Sequence, residues 1–354
     1  EKFIRKRLQD WGCEDQKGVS FYPDLTTLVR QAKPNGLLIG TGCKLHTPYA
    51  IQAAKYDIPL FLEKPVATTM APAMALEKAF RYTKCKVVVS FPLRVSPICA
   101  RVKQEIDRGT IGHPEHIAGF NYVPYGSCYW GPGSYEAMQG LFLQKATHDL
   151  DYMMFLMGSR ITRVGAMASY GRVFGGKTRA GLVCSVCDDA ETCPESPQNR
   201  RRNGSVYGRN PDHHCLFSRD CGSPAKGICE DSSSCVVEFA SGAHGLYTQV
   251  FYSRRDAARR GSIVSGYSGT ITFDWYRNDI TVAHHHRPFT DILATKGDAS
   301  HFGGDDELAS DFFDLIRGRI RRSRSPIETG LASVYSCLAA KESAETGRFV
   351  KVRT

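Results

Sequence analysis

Glu63, Lys64 and Pro65 are the first residues of the chain that could do chemistry, and they follow a short apolar run. If that run is a strand of a parallel sheet, Lys64 points into the crevice where ligands of such sheets bind, and the proline fixes the backbone beside it. The alternative is an ordinary exposed lysine at the end of a strand.

A second set of reactive side chains is expected on one helix. Gln144, His148 and Asp151 are spaced four and three residues apart and therefore share a helix face. Lys145 precedes His148 by three residues, on its other flank. A histidine beside charged groups can take or give a proton near neutral pH. The alternative is that His148 is a core histidine and Asp151 is its surface partner.

Gly40, Thr41 and Gly42 lie between a predicted strand and a predicted helix, and Glu63 follows about twenty residues later. This order imitates the fingerprint of dinucleotide-binding proteins, in which glycines admit the pyrophosphate and an acid holds the ribose. The third glycine is absent, because Leu45 occupies its place. Taken alone, the pattern is a weak indication of a dinucleotide site.

Seven of the thirteen cysteines lie between residues 184 and 235. The odd total and the scattered remaining cysteines indicate a reducing compartment, so the cluster is more typical of a metal site than of a disulfide framework. The spacing of four of them suits a structural zinc ion or an iron–sulfur cluster: Cys184, Cys187, Cys193 and Cys215. Free or redox-active thiols and disulfides are the alternatives.

The elements around these residues predict the fold class. Residues 1–93 alternate amphipathic helices with short apolar strands at 36–40, 59–63 and 86–91, which is typical of a doubly wound parallel sheet. The pattern of residues 94–354 predicts an α+β domain with a large open, mostly antiparallel sheet. Residues 171–235 interrupt it as a loop-rich, cysteine-rich insertion, for which a bound metal would supply a reason. The predicted class is therefore α/β, a Rossmann-like sheet followed by an α+β domain.

The composition indicates a soluble globular protein. Of the 354 residues, 42% are hydrophobic and 23% are charged, which excludes disorder, and no apolar run approaches the ~20 residues of a membrane-spanning helix. Much of the net charge of +10 comes from basic runs at 200–202, 254–260 and 317–324. These runs lack interleaved aromatic residues, so solvent and small anions, rather than nucleic acid, are their expected partners.

Taken in order, the motifs of the chain resemble the glucose–fructose oxidoreductase and inositol dehydrogenase superfamily, Gfo/Idh/MocA. The resemblance rests on segments spread over nearly the whole chain: 39–46, 61–69, 88–94, 106–112, 148–151 and 338–348. It implies an incomplete Rossmann domain over 1–93 that binds NAD or NADP. It also implies a substrate-binding and oligomerisation domain over 94–354, whose C-terminal helix can pack back on the first domain.

In that family, the lysine of a Glu-Lys-Pro motif and a histidine on a helix of the substrate domain flank the reacting carbinol. The matching residues here are Lys64 and His148, with Lys145 and Asp151 beside them. The resemblance therefore implies hydride transfer between a nicotinamide and a sugar, inositol or related polyol. The expected cofactor contacts are Thr41, His46, Glu63, Lys64 and Arg94. For Arg94 the alternative is a salt bridge between the domains.

Two features depart from the family pattern. Many relatives carry a carboxylate four residues before the histidine, where this chain has Gln144, which cannot raise the basicity of the imidazole by its charge. The glycine-rich turn and the strand with the ribose-binding acid would precede Glu1, so we expect a fragment of a full enzyme or a chain that has lost its cofactor. The alternative functions are an NAD-dependent glycosidase with a tightly bound cofactor and a non-catalytic sensor or regulatory protein. A cytoplasmic homo-oligomer, a dimer or a tetramer, is expected.

Overall fold

The computed structural model contains two sheets that confirm the predicted fold class. It describes the following residues: 1–13, 16, 18–131, 133–202, 214–221, 228–295 and 300–353. Within these residues a three-stranded parallel sheet comes first along the chain, and a nine-stranded, mostly antiparallel sheet follows.

The helices and strands of the described residues have the following bounds. The α-helices are: α1 (Lys2–Asp10), α2 (Leu25–Ala32), α3 (Cys43–Ala53), α4 (Met70–Phe80), α5 (Pro92–Val95), α6 (Pro97–Asp107), α7 (Ser134–Met138), α8 (Thr147–Met157), α9 (Pro197–Arg202), α10 (Gly304–Ile316) and α11 (Ile327–Thr346). The strands are: β1 (Leu37–Ile39), β2 (Leu60–Leu62), β3 (Val87–Val89), β4 (Pro114–Tyr122), β5 (Ile161–Tyr170), β6 (Glu230–Phe239), β7 (His244–Val250), β8 (Arg259–Gly266), β9 (Gly269–Asp274), β10 (Asp279–His284), β11 (Thr290–Leu293) and β12 (Val350–Lys351).

The first sheet has the order β1-β2-β3, with neighbouring strands in parallel register. Leu60, Leu62 and Val89 are fully buried, as expected for short apolar strands that helices cover. The strands predicted at 36–40, 59–63 and 86–91 are each confirmed over their central residues. Because the strands are parallel, the segments that follow β1, β2 and β3 meet at one edge of the sheet.

The second sheet has the order β11-β10-β9-β8-β4-β7-β6-β5-β12. Strand β4 is parallel to β7 and antiparallel to β8, and the other neighbours are antiparallel. Helix α8 lies against one face, where the Tyr152 hydroxyl donates to the carbonyl oxygen of Gly261 at 2.9 Å. On the opposite face Val236, Leu246 and Ile263 are exposed. One face of the sheet is therefore packed and the other is open.

Helix α11 contacts elements of both sheets. A Cβ at Gly330 would stand 2.8 Å from Val66 and 3.1 Å from Val89, so glycine allows the helix to approach the first sheet closely. The Tyr335 hydroxyl donates to Glu77 of α4 at 2.7 Å. The Ser333 hydroxyl donates to the carbonyl oxygen of Thr147, at the start of α8, at 2.6 Å. The domain boundary near residue 93 itself stays a prediction.

The helix predicted to carry Gln144, His148 and Asp151 is interrupted near its start. One turn of π-helix, Phe142–Ala146, precedes α8. A single wide turn inserts a residue without altering the types of residue around it, so apolar periodicity could not show it. Such turns are frequent at functional sites.

The described part of the cysteine-rich insertion is held by buried polar side chains. The carboxylate of Asp231 accepts hydrogen bonds from the backbone N–H groups of residues 172–174 at 2.6–3.1 Å. Glu195 is ion-paired with Arg200 and with Arg254, both at 2.7 Å. These contacts connect the described part of the insertion to β6 and to the segment before β8. None of the helices that the structure describes is both long and apolar enough to cross a bilayer.

Candidate active site

Lys64 lies at the carboxyl end of β2, where the sequence placed it. Its side chain is half-buried, and its Nζ donates to the carbonyl oxygen of Gln144 at 2.8 Å. Burial lowers the pKa of Lys64 to about 8, and the nearby Lys145 ammonium acts in the same direction. The lysine of the first sheet therefore reaches the π-helical turn that precedes α8.

Glu230 of β6 fixes the start of that turn. Its buried carboxylate accepts hydrogen bonds from the backbone N–H groups of Leu141, at 2.5 Å, and Phe142, at 3.3 Å. These groups have no partner within a helix start, so a carboxylate there stabilises it. Gly140 has φ +101°, and a Cβ there would stand 3.1 Å from a carboxylate oxygen of Glu230. The glycine at position 140 and the glutamate at position 230 thus set where the helix that carries His148 begins.

His148 is 4% exposed and lies between two aromatic rings. Phe91 packs edge-on with ring centroids 5.9 Å apart, and the ring of His301 lies at 6.2 Å. Burial, and after it the Lys64 ammonium, lowers the pKa of His148 well below its usual range. Among the described residues, the buried Nδ1 of His148 has no hydrogen-bond partner. The imidazole is therefore neutral near pH 7 and able to accept a proton.

Lys145 is 6% exposed and faces a pair of tyrosines. Its Nζ donates to the Tyr125 hydroxyl oxygen at 2.7 Å and lies 4.6 Å and 5.6 Å from the ring centroids of Tyr125 and Tyr129. Burial lowers the pKa of Lys145 to about 7, helped by the charge of Arg260 and opposed by that of Asp149. A second ammonium group thus lies beside the first in one site.

Asp149 and Arg260 form a buried ion pair below these lysines. The guanidinium donates twice to the carboxylate, at 2.9 Å and 2.7 Å, and the Tyr247 hydroxyl donates to it at 3.0 Å. Arg260 is 2% exposed, so the interpretation of the 254–260 run as a solvated surface is wrong for this residue. Its position in β8 could have shown this, because alternate residues of a strand point to opposite faces.

Asp151 lies apart from this group. Its Oδ1 is 2.9 Å from Nη1 of Arg94, whose Nε also donates to the carbonyl oxygen of Arg324 at 3.0 Å. Burial raises the pKa of Asp151 to about 6, while Arg94 acts to lower it. The structure thus favours the salt-bridge alternative for Arg94 and pairs Asp151 with it rather than with His148.

The remaining predicted cofactor contacts line the carboxyl edge of the first sheet. Both ring nitrogens of His46 lie 2.8 Å from carbonyl oxygens, those of Thr41 and Pro65, so His46 ties two loops together. Glu63 is half-buried and accepts from the Lys64 backbone N–H at 3.3 Å. Within the described chain, no atom comes within 4 Å of a Cβ built at Gly42, and no side chain caps α3 there. An open glycine at a helix start beside polar groups fits the phosphate and ribose groups of a dinucleotide.

The four cysteines predicted to hold a metal are near one another: Cys184, Cys187, Cys193 and Cys215. Burial raises the pKa of Cys184 to about 11, and the other three thiols act in the same direction. Yet in the part of the chain that the structure describes, no group of three or more His, Cys, Asp or Glu side chains is arranged to hold a metal ion. All four thiols are free. The zinc or iron–sulfur site therefore stays a prediction, and the contacts of Asp231 and Glu195 are those that hold the described part of the insertion.

The sequence pointed to Lys64, Lys145 and His148, and the structure brings these three together. It did not point to Tyr125, Asp149, Arg260 or His301. Asp149 follows His148 directly, so its position on the helix was a signal that could have found it. Tyr125 and His301 lie in segments without periodic apolar patterns, and nothing in the sequence pairs them with the helix.

Comparisons with known proteins agree with the fold. Residues 5–91 match an oxidoreductase family with an NAD-binding Rossmann fold, GFO/IDH/MocA, and residues 99–272 match the C-terminal domain of the same family. A Bacillus subtilis (strain 168) protein named as an oxidoreductase, YteT, is 23% identical over 83% of this chain and 75% of its own length. The scyllo-inositol 2-dehydrogenase (NAD(+)) of the same strain is 26% identical over 49% of this chain. This chain matches only 53% of that enzyme's length.

Among solved structures, a levoglucosan dehydrogenase in complex with NADH and levoglucosan has the same fold. Its TM-score is 0.70 at 19% sequence identity, over 94% of this chain and 84% of the other. The two family matches follow one another along the chain and correspond to its parallel and its mostly antiparallel sheet. The chain belongs to the GFO/IDH/MocA family of NAD-binding oxidoreductases.

Proposed function

We propose that this protein transfers a hydride between NAD or NADP and a secondary alcohol carbon of a sugar, inositol or related polyol. The observation that carries the proposal is that Lys64 and His148, from different sheets, lie in one half-buried site. The Lys64 ammonium is held by the Gln144 carbonyl oxygen at 2.8 Å, and its charge reaches His148. The named relatives include inositol 2-dehydrogenases, which supports a polyol as the substrate.

The protonation states of the two residues suit the two halves of the proton transfer. His148 is neutral near pH 7, because burial and Lys64 lower its pKa, so its ring can accept the hydroxyl proton of the substrate. Lys64, with a pKa of about 8, is mostly charged at pH 7 and can stabilise the alkoxide that develops. Lys145 and the Asp149–Arg260 pair set the electrostatic potential around them.

The residues at the edge of the first sheet would hold the cofactor. When bound, a nicotinamide cofactor supplies the hydride acceptor or donor of the reaction. The open turn at Gly42 and the side chain of Glu63 lie at the edge where ligands of parallel sheets bind, and they would contact the cofactor beside Lys64. Thr41 contributes its backbone to the same turn, which His46 holds against Pro65.

Substitution of the two central residues tests this function. We expect Lys64→Met and His148→Asn each to lower kcat by about 10²–10⁴ with a polyol substrate, because each removes a proton-handling group. Lys78→Met, which removes an exposed lysine of α4, is the matched control and should keep full turnover. NADH formed in a one-to-one ratio with oxidised substrate separates a dehydrogenase from a glycosidase that regenerates its cofactor. Unchanged kcat in both active-site variants would exclude the proposed roles.

We further propose that the chain forms a homo-oligomer, a dimer or a tetramer, through the open face of the second sheet. Val236, Leu246, Ala118 and Ile263 are register partners in turn across β6, β7, β4 and β8. Three of these are exposed apolar side chains, and such a row on one face is typical of an interface. A second copy of the chain would cover it.

Measurement of mass in solution tests the oligomer. Leu246→Glu places a charge in the centre of the row and should shift the protein to a smaller species in size-exclusion chromatography with light scattering. Met74→Glu, at an exposed apolar residue of α4, is the control and should keep the parental mass. A parental protein that is monomeric at micromolar concentration would exclude this interface.

The cytoplasm is the compartment that we propose, because neighbouring thiols such as Cys184 and Cys215 stay reduced there.

A further inference from the structure

The candidate active site holds two lysines, Lys64 and Lys145, whose ammonium groups bond to oxygens other than those of carboxylates. Lys64 follows β2, and Lys145 lies in the π-helical turn. The two meet there, because Lys64 donates to the carbonyl oxygen of Gln144, the residue before Lys145. The hydrogen-bond partner of the Lys145 Nζ is the Tyr125 hydroxyl, and the faces of Tyr125 and Tyr129 lie beside it. In the described part of the chain, neither ammonium group is ion-paired with a carboxylate.

The acidic residues nearest to Lys145 along its helix have other partners, whereas Glu63 lies beside Lys64 and raises its pKa. Both oxygens of Asp149 accept from Arg260, so this pair contributes no net charge. Asp151 is ion-paired with Arg94. Gln144 stands in the π-helical turn with a neutral side chain, and its Oε1 accepts from the Cys43 thiol at 3.6 Å. Among the described residues, Lys145 is therefore left without an ion-pair partner.

Such an arrangement favours a ligand that brings the missing charge. A buried ammonium group without an anionic partner is costly, and it responds either by losing its proton or by binding an anion. One of the two positive charges, that of Lys64, is needed for the developing alkoxide. This leaves a single charge, that of Lys145, which a monoanionic carboxylate matches better than a doubly charged phosphate.

We propose, on the basis of the proposed function, that the substrate is a sugar acid whose carboxylate pairs with Lys145 while the hydroxyl that reacts lies between Lys64 and His148. The substrate class is then a polyol with a carboxylate, such as an aldonate or a uronate, rather than a neutral sugar or inositol. The tyrosine faces at 4.6 Å and 5.6 Å from Nζ hold the ammonium in place for that contact.

Matched pairs of ligands test the charge preference. The probes are D-gluconate with D-glucitol, D-glucuronate with D-glucose, and D-galacturonate with D-galactose, each titrated calorimetrically into the full chain at pH 6.5 with NADH present. For at least one pair the acid should bind ten-fold or more tightly than its neutral partner. Lys145→Met should abolish that preference, with the affinity for the neutral partner within about three-fold of the parent. Lys145→Arg, which keeps the charge, should retain it, and Lys78→Met is the control.

The outcomes separate this inference from the proposed function. Equal binding of acid and neutral partner, absence of binding by every acid, or a preference that survives in Lys145→Met would overturn the sugar-acid proposal. Oxidation of a neutral polyol with formation of NADH, but without any preference for acids, would overturn it and leave the dehydrogenase function intact. Tight binding of an acid without NADH formation would retain the charge preference and contradict the hydride transfer.

Discussion

The buried pair of Asp149 and Arg260 makes a strong prediction about stability and the active site together. Replacing Asp149 by Asn keeps the shape of the side chain but leaves a guanidinium group that is 2% exposed without its countercharge. The variant loses two charge-assisted hydrogen bonds, at 2.9 Å and 2.7 Å, and that from Tyr247 is weakened. Removal of one partner of a buried ion pair costs about 3–5 kcal/mol. With an unfolding entropy of about 2.1 cal/mol/K per residue, this lowers Tm by roughly 4–7 °C.

Calorimetric unfolding of Asp149→Asn against two further variants measures this effect. Asp107→Asn removes an acid of an exposed ion pair on α6 and should cost less than about 1 kcal/mol. Asp149→Asn combined with Arg260→Met removes both charges and should recover much of the loss, because no charge remains buried and unpaired. A loss below about 1 kcal/mol in Asp149→Asn, or a double variant less stable than the single one, would show that Asp149 does not compensate the buried charge of Arg260.

Three other predictions concern the same elements. Turnover should fall as pH rises through about 8, because Lys64 then loses the proton that stabilises the alkoxide, and the acid limb of the pH profile should lie well below pH 6.5, where His148 becomes charged. Lys64→Arg should remove the fall near pH 8. If the fall persists in this variant, it belongs to another group. His46→Leu removes the ring nitrogens that lie 2.8 Å from the carbonyl oxygens of Thr41 and Pro65. It should lower the free energy of unfolding by about 1–3 kcal/mol and weaken NADH binding in a fluorescence titration, and an unchanged Kd would separate His46 from the cofactor. Glu195→Gln removes the charge that binds Arg200 and Arg254. It should speed backbone hydrogen exchange over residues 184–202 and leave the exchange rates of the second sheet unchanged. Equal rates over 184–202 in variant and parent would show that other contacts order the insertion.

The parts of the fold that sequence patterns predicted are those with local, repeated signals. The short apolar runs around Leu60 and Val88 and the glycine that ends α8 at residue 158 gave elements with nearly correct bounds. Strand β12, with two residues, and strand β11, whose first three residues are exposed, were not predicted, because neither has an apolar alternation of its own. Their pairing with β5 and β10 comes from tertiary contacts.

The same distinction applies to the site. Lys64 and His148 could be found because each stands at a position with a geometric meaning, the end of a strand and the face of a helix. The ion-pair partner of Asp151 could not be found from the sequence. Helix spacing places Asp151 near His148, whereas its contact with Arg94 depends on how α5 and α8 pack. The metal site of the cysteine cluster stays a prediction. Spacing along the chain suits a metal, but among the described residues no three His, Cys, Asp or Glu side chains are arranged to hold one.

The proposed chemistry depends on the seam between the two sheets, by which we mean the region where helix α11 contacts elements of both and sets their spacing. Gly330 lets α11 approach Val66 and Val89 of the first sheet, and Ser333 of the same helix holds the start of α8 through Thr147. The hydrogen bond from Lys64 to the carbonyl oxygen of Gln144 closes the same seam from the other side. Because the lysine and the histidine are fixed by different sheets, their separation is set by these contacts rather than by either sheet alone. A larger residue at 330 would therefore act on the proposed proton transfer without touching Lys64 or His148.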